Sequence, residues 1–325
     1  MCVECKETLE RLIREEFKKT DPEPNSKSGI KLPSSFEYLR NNGSLYLKVK
    51  EAAGKMQDDC GAFDSWALAI KNWVPEINEI ILKWEKPQNI LDSNYQRFLY
   101  RVEKSTEIFD WLKVDITCKN LLQDLVIKKD LVYLVNEPTQ DEKKDAEKGE
   151  ATYERLFMHD YKDILANAVG MTNSIFHNQL PCGVFKDRID SENRIMIGFI
   201  DIWGLNEEAK VFNLFELKKP DENPISIISE AFFYAMVRKS ILDKQFEYED
   251  KPRLKNFRGI IDLISSKHDH INVHLLASKL HPLIDSKMLV LINGALKKYN
   301  INFDFIIYSI DPKDTLQITE CKRKY

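Results

Sequence analysis

Apolar positions along the 325-residue chain fall into two textures. Residues 6–19 (KETLERLIREEFKK) set Leu9, Leu12, Ile13 and Phe17 on one stripe at helical spacing, which predicts a short amphipathic helix. The stretch from Thr20 to Gly29 (TDPEPNSKSG) is dense in turn formers and reads as a linker. From about Ser34 to Asn136 the period looks helical again. Trp66, Ile70, Trp73, Ile77, Ile80 and Trp84 recur every three or four residues across 63–84, with a kink or break expected at Pro75. Tyr95, Phe98, Leu99, Val102, Phe109 and Leu112 repeat the pattern across 94–113. This region is expected to be a helical bundle whose tryptophans are core rather than a base-stacking platform.

Residues 136–150 (NEPTQDEKKDAEKGE) carry no large apolar side chain and cannot bury a core, so they mark a boundary. Beyond them helices and strands alternate. A helix is predicted over 153–170, strands near 183–190, 195–204 and 210–218, and a helix over 225–242. A strand at 271–277, a helix at 285–299 and a strand at 301–310 follow. The expected organisation is a helix and linker over 1–30, a helical domain over 31–140 and an α/β domain over 141–325.

Composition narrows the setting. With 43% hydrophobic and 31% charged residues the chain is globular, and a net charge of −4 argues against coating nucleic acid through bulk charge while allowing one local basic groove. No run approaches the ~20 apolar residues of a membrane span, and the first residues lack the apolar core of a signal peptide. The six scattered cysteines form no dense framework, Cys2 and Cys5 making only a lone CxxC, so a cytoplasmic protein is expected. No phosphate loop, dinucleotide fingerprint or nucleophile elbow is present. His268, His270 and His274 fit no strong metal spacing and read as polar loop residues. The basic end Cys321-Lys-Arg-Lys-Tyr325 reads as a solvated tail.

The chemistry lies in 195–219, IMIGFIDIWGLNEEAKVFNLFELKK. Two strand-like runs flank Leu205-Asn-Glu-Glu-Ala209, which reads as a hairpin loop. If Asp201 faces Glu216, the midpoint of the hairpin falls between Glu208 and Ala209, inside that loop, and the two carboxylates share a face. Lys218, two residues beyond Glu216, shares it too. Two carboxylates suit a hard divalent cation with room for water and phosphate, and an ammonium beside them can orient water or offset developing charge.

Asp201 followed by Glu216-Leu217-Lys218 on an apolar strand resembles the D…ExK signature of the PD-(D/E)XK, or restriction-endonuclease-like, superfamily, over roughly residues 151–310. Ile200 stands where the eponymous proline would be. Glu230-Ala-Phe-Phe-Tyr234 is similar to a Gln-xxx-Tyr motif that some members carry on the following helix, with glutamate in place of glutamine. The resemblance implies a mixed central sheet flanked by helices, α/β in class, preceded here by a mainly helical N-terminal region. It implies a magnesium-dependent nuclease, manganese substituting, with Asp201 and Glu216 as metal ligands and Lys218, Glu230 and Tyr234 completing the catalytic set. One further acid from the first helix is implied, from Glu154, Asp160 or Asp163. The partner implied is nucleic acid, DNA ahead of RNA, with no membrane and with room for a homo-oligomer; restriction or anti-phage defence is the setting by analogy. The reading from a different class is an inactive nuclease fold kept as a nucleic-acid-binding or protein-interaction module.

Overall fold

Alternation rather than helical period governs much of the N-terminal half. The computed structural model describes residues 3–20, 30–136, 149–171, 175–249 and 258–324. Cys2, nearly all of the linker from Thr20 to Gly29 and most of the charged stretch 136–150 lie outside them. The chain forms two compact units: Met1–Val126 with Pro282–Leu291, and Ile127–His281 with Ile292–Tyr325. The division thus falls at Val126, short of the charged stretch, and the first unit takes back a later segment that its sequence does not advertise.

In the first unit, β1 (Val3–Glu4), α1 (Lys6–Thr20), β2 (Phe36–Asn41), β3 (Ser44–Val49), α2 (Phe63–Trp73), β4 (Glu79–Trp84), α3 (Ser93–Ile108) and β5 (Leu112–Val114) follow in order. The strands form one sheet in the order β1-β2-β3-β4-β5, antiparallel from β1 to β3 and parallel from β3 to β5. The helix at 6–19 is where the sequence puts it, with Leu9 and Ile13 buried. The expected helical bundle is corrected to an α/β sheet with helices. The helix of 63–84 ends at Trp73, because Pro75 disfavours helical geometry in the residue before it and supplies no N–H. From Glu79 the pattern changes to period two: Ile80, Leu82 and Trp84 are buried and Glu79, Ile81 and Lys83 are half-buried. Ile77, Ile80 and Trp84 happen to match a helical spacing, which hid the strand. Trp66, Trp73 and Trp84 are core, as expected.

The second unit contains β6 (Tyr133–Val135), α4 (Glu150–His159), α5 (Lys162–Ala168), β7 (Ile175–Pro181), β8 (Val184–Phe185), β9 (Arg194–Met196), β10 (Phe199–Asn206), β11 (Val211–Lys218), α6 (Ile227–Leu242), β12 (Phe246–Glu247), α7 (Ile260–Ser265) and β13 (His270–Ala277). It also holds the end of α8 (Ser286–Leu296), then β14 (Ile301–Asp311) and β15 (Asp314–Lys324). Six strands form a mixed sheet in the order β15-β14-β13-β11-β10-β7, parallel from β11 to β14 and antiparallel elsewhere. A smaller sheet runs β12-β6-β8-β9. Tyr153, Leu156 and Phe157 of α4 and Leu165 of α5 pack with Phe176, Ile202, Phe215, Leu217, Leu276 and Ile306 in one core. The alternate residues of those strands point the other way, and α6 packs on β11 and β13.

Several boundaries move. The helix expected over 153–170 is two, α4 and α5, and the strand expected near 183–190 is two short ones in the smaller sheet. The strand that pairs with β10 is β7, which the sequence reading missed. The hairpin strands extend further into the expected loop, leaving only a turn at Glu207–Lys210. The basic end is corrected from a solvated tail to the edge strand β15, whose exposed residues gave no apolar alternation to read. Among the described residues no helix is long and apolar enough to cross a membrane.

Candidate metal-binding carboxylate site

The hairpin register brings the acids together. Ile202 pairs with Phe215, Trp203 with Leu214, and so on to Asn206 with Val211. One step further along the same ladder sets Asp201 against Glu216. The Asp201 carboxylate accepts the Leu217 backbone N–H at 2.8 Å, a bond that fixes it at the start of β10. Alternation puts Glu216 and Lys218 on the same face. Asp201, Glu216 and Lys218 are all buried, at 9%, 1% and 5% exposure, so three charged groups converge in a place where isolated charges are expensive.

Helices on either side add more acids. Glu230 and Tyr234, one turn apart on α6, are buried. From α4 come Glu150 and Glu154, also one turn apart. Glu154 is the acid of the first helix that the structure places here, buried and with its charge felt at Asp201; Asp160 and Asp163 are exposed. Glu150 was missed because it sits at the end of a charged run that read as a boundary. Its signal was the helical spacing to Glu154 beside Tyr153 and Phe157.

The Lys218 ammonium is held by three of these acids. It donates to Glu216 Oε1 at 2.8 Å and Glu150 Oε1 at 3.2 Å, and lies 3.3 Å from Glu230 Oε1 in an ion pair without hydrogen-bond alignment. Glu216 Oε2 and Glu230 Oε1 are buried with no hydrogen-bond partner. Glu154 accepts from Gln179 Nε2 at 2.7 Å. Gln179 is the other residue that sequence missed: it belongs to β7, and it is one of six non-glycine residues among those described with a positive φ, here 54°.

Electrostatics follow from burial and like charge. Burial pushes the Asp201 carboxyl well up; Lys218 opposes the rise, and Glu154 and Glu150 add to it. Glu216 is raised by burial and then by Asp201, against the pull of Lys218. Burial also raises Glu150 and lifts Glu154 to about 7. For Lys218 the largest effect is burial, which lowers it, but Glu216, Glu230, Asp201 and Glu150 together hold it well above the ordinary lysine value, so it is charged. Tyr234 is raised by burial and by Glu216, and is a neutral phenol.

Five carboxyl groups and one ammonium thus share this region, and the donors available to a cation are all oxygen, the set a hard divalent ion prefers. The buried oxygens without donors fit such an ion in kind. Among the described residues no three acid, histidine or cysteine side chains close on one point as a metal cage; Lys218 stands among the acids instead. The histidines serve elsewhere. His268 bonds Arg238, His270 pairs with Asp269 on the surface, and His274, buried in β13 rather than in a loop, lies between Asp304 and Asn213. Cys5, the described half of the CxxC, is buried against the Tyr38 carbonyl, and burial lifts its thiol to about 11. No family model matches the chain, and no curated protein or solved structure matches it.

Proposed function

We propose that the second unit is a magnesium-dependent nuclease of the PD-(D/E)XK kind, hydrolysing phosphodiester bonds of DNA. The observation that carries this reading is the buried convergence of Asp201, Glu216 and Lys218 at one register of the β10–β11 hairpin. The element order supports it: α4, then an antiparallel β7–β10–β11 meander, then α6 and parallel β13 and β14. Asp201 and Glu216 would hold the ion, with Glu154 beside Asp201. Bound there, magnesium would polarise the scissile phosphate and lower the pKa of a coordinated water.

The protein's own groups do the rest. Lys218 presents a permanent positive charge to the attacking water and the phosphate oxygens, and its three carboxylate partners hold it in place. Glu230 helps to keep that ammonium charged. Tyr234, neutral beside Glu216, offers a phenolic donor at the edge of the site. A structural ion-pair network alone would leave Glu216 Oε2 buried without a donor, a state that costs stability unless a ligand satisfies it.

The test is cleavage of circular and linear DNA, single- and double-stranded, with magnesium or manganese, for wild type and Lys218→Ala. Metal-dependent cutting that disappears in the variant supports the reading and assigns the site. Equal cutting by both proteins removes Lys218 from the chemistry, and no cutting by either favours the inactive binding module.

A further inference from the structure

Adjacent residues of a strand point to opposite faces of the sheet. On β7, Asn178 pairs with Ile202, whose side chain belongs to the core shared with α4, so Asn178 faces α4. Leu180 pairs with Ile200, which leaves Gln179 opposite Asp201 and, by alternation, facing away from α4. Yet the Gln179 amide donates to Glu154 of α4 at 2.7 Å. The backbone is unusual at this point: Gln179 has φ 54°, a left-handed conformation in the middle of the strand. Glutamine has no local preference for that region of the kind asparagine and aspartate show, so the surrounding structure must hold it there. The Gln179 amide thus meets the Glu154 carboxylate, and it and the neighbouring Asn178 both favour its ionised form. Asn178 is in turn fixed through its carbonyl oxygen, which accepts from Arg258 Nη1 at 3.0 Å.

We propose that Gln179, with Asn178, is a positioning residue that clamps Glu154 beside Asp201, and that the left-handed turn in β7 is there to make the clamp. This rests on the nuclease reading, in which Glu154 completes the carboxylates around the ion. A glutamate buried on a helix has several rotamers, and the bond from the Gln179 amide selects among them. Partners of this kind, one step removed from an ion, typically change its affinity by ~10- to 100-fold when lost.

A double-mutant cycle on the full chain tests this: Gln179→Gly, Glu154→Gln and the pair. Manganese affinity is read from the free-ion resonance signal, and stability from urea unfolding in ion-free buffer. Glycine accepts the left-handed backbone without strain, so Gln179→Gly is expected to be as stable as wild type or more so, while binding manganese at least ~10-fold more weakly. In the Glu154→Gln background the same change should alter affinity by less than ~2-fold, since the group being clamped is gone. Unchanged affinity in Gln179→Gly, or an equal loss in both backgrounds, overturns the clamp and leaves the nuclease reading intact. If wild type binds no manganese and cuts nothing, the nuclease reading fails. The unfolding cycle then decides the clamp alone, non-additive effects supporting it and additive effects overturning it.

Discussion

Glu154 shows how one residue ties stability to pH. Burial lifts its carboxyl from 4.5 to about 7, so the folded chain holds a proton there that the unfolded chain has released. The stabilisation this gives is fully present below about pH 4.5 and is lost as pH rises through about 7, roughly 3 kcal/mol in all. Asp201 and Glu216 are raised too and act in the same direction. Ion-free protein is therefore expected to unfold at lower urea concentration at pH 8 than at pH 6, with Glu154→Gln flattening the difference; a midpoint independent of pH would count against buried, raised carboxyls. Gly198 offers a steric test beside the same site. A methyl group there would meet Tyr234 Cε1 at 2.8 Å, Cys182 Sγ at 3.0 Å and Phe233 Cε1 at 3.1 Å. Gly198→Ala should destabilise by about 1–3 kcal/mol, measured by urea unfolding, and lower cutting by displacing Tyr234. At this scale the sequence was readable where chemistry breaks a pattern. Asp201, Glu216 and Lys218 stood out as charges inside apolar strands. Gln179 did not, because its importance lies in a φ angle and a strand partner that no local composition announces.

Elements were legible where their apolar period was unambiguous and misleading where two periods coincided. The hairpin is the clear case: opposing Asp201 and Glu216 required a turn centred between Glu208 and Ala209, and the strands do meet in that register. The tryptophan segment is the other case, since Ile80 and Trp84 satisfy both a helix and a strand, and burial of the intervening Leu82 decides for the strand. Helices α2 and α3 of the first unit share a buried ion pair that a bundle reading had no reason to seek. Arg101 of α3 donates through Nε to Asp64 Oδ2 of α2 at 3.0 Å and through Nη2 to the Gly61 carbonyl at 2.8 Å, with its guanidinium 4.9 Å from the Phe63 ring. Removing one member leaves the other charge buried, so Arg101→Met should cost about 3–5 kcal/mol in urea unfolding. Replacing both, with Asp64→Leu added, should recover most of the loss. A double variant as unstable as the single one would show that the bond to Gly61 and the contact with Phe63 matter more than the pair.

At the scale of the whole molecule, the proposed chemistry lies in one of the two units. Glu150, Glu154, Gln179, Asp201, Glu216, Lys218, Glu230 and Tyr234 all belong to the second unit. The carboxyl groups outnumber the ammonium five to one, and in the absence of a cation that excess negative charge must be met by protons or by local loosening. A divalent ion that binds only the folded site stabilises it by mass action, and about 100-fold excess over its dissociation constant adds roughly 2.7 kcal/mol. The stabilisation should be local before it is global. Backbone amides of β7, β10, β11 and the first turns of α4 are expected to exchange more slowly with solvent deuterium when magnesium or manganese is added. Amides of β3, β4 and α2 should be unaffected. Lys218 gives the control, because its ammonium competes with the ion for the same oxygens. Lys218→Ala should strengthen ion-dependent protection while abolishing cutting, separating the residue's electrostatic role from its catalytic one. If protection instead rises evenly across both units, the ion acts through general charge screening rather than through this site. If it rises in the first unit alone, the ion binds elsewhere and the carboxylates of the second unit are a structural network.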